Sequence, residues 1–159
     1  MSKNKKKYTL AAARPVHIEA ITKLAIRAFS EGAEGALTVN AAKVRGTVDL
    51  LVRNDHQLAV VALCDGRPKG IILGHVDSHA YCDGLVASDV CTYVAPALRG
   101  TKCAADLIEV YAKWCGRITG LIGSTLSVAQ INHTTPYMEH CFKSNGYHKS
   151  GITYIKLAE

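Results

Sequence analysis

The 159-residue chain lacks several things that would narrow its function at once. It has no C-x-x-C pair, no N-terminal apolar segment and no internal repeat. No apolar run approaches the ~20 residues needed to cross a bilayer. Its six cysteines, at 64, 82, 91, 103, 115 and 141, therefore read as free thiols of a reducing compartment, and the chain is expected to be soluble and cytoplasmic. Acids are scarce, with 13 Asp plus Glu against 19 Lys plus Arg and a net charge of +6. Lys3, Lys5, Lys6 and Lys7 supply four of those charges before any acid appears, which leaves the body near +2. Phosphate backbones are held by many clustered cations, so nucleic acid is not the expected partner of such a body.

What is present is a globular composition, 48% apolar and 20% charged, over a length that suits one domain. Residues 1–7 read as a basic flexible leader, because like charges near a terminus repel and pack poorly, and 8–159 as a single domain. Tyr8 to Ala13 reads as a strand ended by Arg14-Pro15. Ile18, Ile21, Ala25, Ala28 and Phe29 then recur at helical spacing until Gly32 and Gly35. Asn40 caps a second helix with the stripe Ala41, Val44, Val48, Leu51 and Val52.

Leu58–Leu63 and Gly70–Val76 flank the turn Asp65-Gly66-Arg67-Pro68 and read as a hairpin, and Val86–Val94 adds a third strand. After Pro96 the spacing of Ala104, Leu107, Ile108, Tyr111 and Cys115 is helical, with Gly116 beyond the end. Thr119–Val128 returns to strand, Thr135-Pro136 opens a short helix closed by Asn145-Gly146, and Gly151–Leu157 is a last strand. The predicted order is β-α-α-β-β-β-α-β-α-β, an α+β fold with a central mixed sheet flanked by helices on both faces.

The stretch from Val94 to Ala104 runs from a strand end through a tight loop into a helix. Unpaired N–H groups and the helix dipole make such a place suit a pyrophosphate, and Arg99 and Lys102 add positive charge. A plain strand-to-helix turn would share this outline. The run V-x-P-x-x-R-G-x-x-x-A resembles the acyl-CoA loop of the GNAT (Gcn5-related) N-acetyltransferases, whose pattern is Arg or Gln, two residues, Gly, one residue, then Gly or Ala. Arg99 and Ala104 match the first and last positions, while Lys102 replaces the middle Gly. The element order, Lys69-Gly70-Ile71-Ile72, and the segment Asn132 … Phe142-Lys143-Ser144-Asn145-Gly146-Tyr147 are also similar to that family, over about Tyr8 to Leu157.

The resemblance implies transfer of an acetyl group from acetyl-CoA to an amine acceptor, a small molecule or a protein amine, by direct attack and without a metal. It implies that the fourth strand parts from the fifth, and that backbone groups of Thr92, Tyr93 and Val94 bond the pantetheine arm. The N–H groups of Leu98, Arg99, Gly100, Thr101, Lys102, Cys103 and Ala104 would hold the pyrophosphate, with Asn132 and Phe142 completing the CoA site. It allows a homodimer.

An amine nucleophile needs a base nearby. Asp89 falls where some family members carry a carboxylate, and simple alternation would place it on one face with Cys91 and Tyr93. A solvated strand-end Asp is the other reading. His75 and His79 are the next candidates, since neutral imidazole suits the task. His75, His79 and Cys82 match no common zinc spacing. The family's frequent acid, a Tyr four residues before the closing Gly, is Phe142 here, leaving Tyr137, His133 and His140 as substitutes. Glu31 and Glu34, beside the first two helices, would favour a cationic amine, although loop acids are also often merely solvated. Phe142 and Lys102 keep open an alternative, a GNAT-fold binding or structural module without catalysis.

Overall fold

Strand β2 (Leu58–Cys64) and strand β3 (Arg67–Ser78) are joined by Asp65 and Gly66 alone. Both turn residues have positive φ, +51° and +72°, as the two-residue turn that matches strand twist requires. The computed structural model describes residues 7–32, 35, 37–127, 135–151 and 156. Strand β1 (Thr9–Ala12) pairs with β2, and strand β4 (Leu85–Val94) with β3, all antiparallel. Strand β5 (Leu121–Thr125) pairs parallel with β4, so the sheet is mixed, in the order β1-β2-β3-β4-β5. The expected last strand, Gly151–Leu157, lies largely outside the described residues, as do the leader through Lys6, Glu34, Asn132 and His133.

One helical turn at Pro15–His17 leads into helix α1 (Ile18–Glu31), which ends at Gly32, and helix α2 (Ala41–Arg53) follows. Asn40 caps α2 as expected, its side chain accepting the Lys43 N–H at 3.0 Å. These helices bury Ile18, Ile21, Leu24, Val48 and Leu51 against Val61, Ile71, Leu73 and Tyr93.

Helix α3 (Cys103–Cys115) covers the opposite face, where Leu107 and Tyr111 meet Val60, Ala62, Ile72 and Ala87. The close approach depends on missing side chains. A Cβ at Gly70 would stand 3.1 Å from Cys103 Sγ, and one at Gly74 3.0 Å from the Tyr111 ring. Helix α4 (Thr135–Ser144) packs on α3. Helices on both faces of a mixed sheet are the predicted architecture. No helix among the described residues is long and apolar enough to cross a membrane.

Candidate functional site

Strand β4 is longer than its last partner. Pairing with β5 runs from Leu85↔Leu121 to Ser88↔Thr125 and stops, so from Asp89 to Val94 that side of β4 has no strand among the described residues. The Ala95 N–H bonds Lys69 O at 2.8 Å. In an antiparallel pair each residue turns both backbone groups to the same side. Ala95, Tyr93 and Cys91 therefore face β3, while Thr92 and Val94 turn their N–H and C=O into the opening. Of the three residues expected there, Tyr93 turns its backbone groups to β3 and its side chain to the α1/α2 face.

A bulge changes the faces of β4. Leu73 pairs with Cys91 and Gly74 with Asp89, which leaves Val90 without a partner on β3. Since cross-strand partners share a face, Asp89 lies on the α3 face with Thr92, while Cys91 and Tyr93 lie on the α1/α2 face. Simple alternation had put all three together, and the extra residue overturns it. Asp89 thus sits at the root of the opening, where its Oδ1 accepts the Ser127 N–H at 2.8 Å. Burial raises the pKa of its carboxyl, although hydrogen bonds from Ser127 and the nearby Thr92 hydroxyl pull the other way.

Tyr111 and Tyr147, which sequence reasoning did not single out, close this root. The Tyr111 hydroxyl donates to Thr125 O at 2.9 Å, and the Tyr147 hydroxyl lies 3.0 Å from Ser124 Oγ. Thr92 Oγ1 is buried on the same face as Asp89. The Cys91 thiol, on the other face, is pushed up to about 12 by burial and by Asp89.

The other two expected catalytic residues are elsewhere. His75 pairs with Ser88 and lies on the α1/α2 face, opposite Asp89, with its Nδ1 buried and without a partner among the described residues. Tyr137 lines a cavity of about 480 Å³ between α3 and α4, with Lys102, Asp106, His140 and Cys141. Asp106 accepts the hydroxyl of Tyr8 beside β1 at 2.6 Å, so this flank of α3 looks toward the far edge of the sheet. Burial and Cys141 raise the Tyr137 hydroxyl. Phe142 is half-buried on α4 and joins neither core cluster. Asp89, His75 and Tyr137 do not form one group.

The loop after β4 supplies a different set of groups. Pro96–Leu98 forms one tight turn, and the N–H groups of Leu98, Arg99 and Thr101 bond back to Ala95, Pro96 and Leu98. Cys103 N–H is taken by Thr101 Oγ1 at 3.2 Å. The N–H groups of Gly100, Lys102, Ala104 and Ala105 have no such partner among the described residues. Gly100 has φ +76° and open space around its Cβ position. Lys102 is well exposed, with its ammonium 3.4 Å from Asp106.

Arg99 turns away from the loop and back over the end of β4. Its Nε donates to Val94 O at 3.0 Å, one Nη donates to Glu31 Oε2 and reaches the Tyr93 hydroxyl at 3.2 Å, and the guanidinium lies 5.4 Å from the Tyr93 ring centre. Tyr93 donates to Glu31 Oε1 at 2.7 Å. Burial alone would raise the Glu31 carboxyl, but the bonds from Tyr93 and Arg99 and the charges of Arg99 and Arg27 hold it below the ordinary range. Glu31 is thus engaged by the chain itself. Nothing in the sequence signals a contact between residues 31, 93 and 99.

No protein-family model matches the sequence, and no curated protein matches it. Solved structures do. A possible acetyltransferase from Clostridium difficile superposes with a TM-score of 0.71 at 14% identity, covering 96% of this chain and 97% of that one. The aminoglycoside N-acetyltransferase AAC(6')-Iy in complex with CoA gives 0.69 at 15%, covering 99% of both. A ribosomal-protein-alanine N-acetyltransferase from Brucella melitensis biovar Abortus gives 0.65 at 12%, covering 96% and 100%. The chain has the GNAT acetyltransferase fold over nearly its whole length.

Proposed function

We propose that the chain is an acetyl-CoA-dependent N-acetyltransferase acting on an amine. One observation carries the reading. The outward backbone groups of Thr92 and Val94, on the side of β4 that pairs with no strand among the described residues, lead toward a loop where the N–H groups of Gly100, Lys102, Ala104 and Ala105 have no partner among the described residues. A polar arm that needs backbone partners would lie along β4, and a diphosphate would lie on the loop, where N–H groups and the α3 dipole favour negative charge. A solved structure of the same fold in complex with CoA supports the assignment.

In this reading the acceptor amine attacks the thioester carbonyl, the C–N bond forms, the C–S bond breaks and the thiolate leaves. Asp89, with its carboxyl raised by burial, takes the proton from the amine through water. Outward N–H groups of β4 face the carbonyl oxygen as charge develops. Acceptors enter the β4 opening from the side of α1 and α2, so the proton reaches Asp89, on the α3 face, through water in that opening. An aminoglycoside N-acetyltransferase and a ribosomal-protein-alanine N-acetyltransferase share the fold, so both small and protein amines belong in the test. Purified protein mixed with acetyl-CoA and a panel of aminoglycosides, polyamines and peptide amines should release free CoA with at least one of them. Binding of acetyl-CoA without release on any amine would point instead to a binding module.

A further inference from the structure

Glu31 and Arg99 lie 68 residues apart in the chain and meet over the end of β4. Their side chains are 31% and 37% exposed, so the pair is reachable from solvent. An ion pair at that exposure contributes little and yields readily to a stronger partner. Arg99 is also part of the loop whose unpaired N–H groups face the proposed diphosphate, and its Nε occupies the Val94 carbonyl, one of the groups turned into the β4 opening. Nε is taken by Val94 and one Nη by Glu31, which leaves only the second Nη for a diphosphate, so a two-pronged grip on that group needs the guanidinium to let go of Glu31.

We propose that Arg99 is a shared counter-ion that moves from Glu31 to the CoA diphosphate, and that its departure opens Glu31 to the cationic group of the acceptor. This rests on the acetyltransferase reading above. Gly100, in the left-handed region beside Arg99, places no side chain in the way of the shift. Glu31 keeps the hydroxyl of Tyr93 after the exchange, and Arg27 still acts on it by charge, so the carboxylate stays ionised. Before the exchange its second oxygen is neutralised and a cationic acceptor gains little there. After it, one carboxylate oxygen lies open on the acceptor side.

Calorimetric titration with CoA separates the parts of this account. The wild-type chain must bind CoA at all, and failure there overturns the acetyltransferase reading itself. Glu31→Gln should tighten CoA roughly two- to fivefold, the size expected when a half-exposed charge pair no longer competes. The same substitution in an Arg99→Ala background should change nothing. Carboxyl NMR of Glu31 in the wild-type chain gives a second readout, since its pKa should rise when CoA saturates the protein and Arg99 leaves. Unchanged or weaker CoA binding by a folded Glu31→Gln variant, or a Glu31 pKa that CoA does not move, would overturn the exchange while leaving the acetyltransferase reading intact.

Discussion

Asp89 owes its position to Val90, the unpaired residue of the bulge, and not to its own place in the strand pattern. If it takes the proton from the amine, its ionised form is the active one. Burial raises its carboxyl from the ordinary 3.8, so the acid limb of kcat/KM should fall above that value, with activity rising as pH rises through the shifted pKa. Asp89→Asn should flatten that limb and lower turnover by roughly 10²-fold or more. A pH profile of Asp89→Asn that keeps the wild-type limb would assign the proton to another group.

Gly100 makes a second claim at the same scale. Its φ of +76° strains any L residue, most of all a β-branched one, and its Cβ would project into the open space before the loop. Gly100→Val should cost about 1–2 kcal/mol in stability and weaken acetyl-CoA binding further than strain alone explains. Melting and calorimetry on the same sample separate the two. Equal affinity in a destabilised Gly100→Val protein would remove the loop from the CoA site.

At the scale of elements, periodicity is a strong signal and most of it was legible. The helical stripes of α1, α2 and α3 and the hairpin come directly from spacing and turn chemistry, although the turn is tighter than expected: Arg67 and Pro68, read as part of it, already belong to β3 and pair with Cys64 and Leu63. The strand expected over Thr119–Val128 is shorter where described, Leu121–Thr125, because pairing with β4 ends there. Spacing carries no record of a single unpaired residue. The bulge at Val90 was therefore invisible, and with it the face of Asp89. The grouping of Glu31, Tyr93 and Arg99 was equally hidden, since it joins three elements through side-chain tips.

The cap on α2 offers a test of an element apart from the site. Asn40→Ala removes the acceptor of the Lys43 N–H and should cost about 1 kcal/mol. In a domain of this size that means a melting shift of roughly 2–5 °C. Acetyl-CoA affinity should be unchanged, because α2 packs on the face opposite α3. A change in affinity at equal fold would show that α2 and the β4 opening are coupled.

Over the whole molecule, the two faces of the sheet divide the work. The α3 face holds the loop, Asp89 and the root of the opening, while Tyr93 lies on the α1/α2 face and bonds Glu31 there. Arg99 spans the two over the end of β4. In the proposed reading CoA lies along β4 between them. Calorimetric titration of the purified chain with acetyl-CoA tests this most directly. The account predicts saturable binding of one molecule per chain, weakened by Gly100→Val; no detectable heat, or wild-type affinity in Gly100→Val, would contradict it.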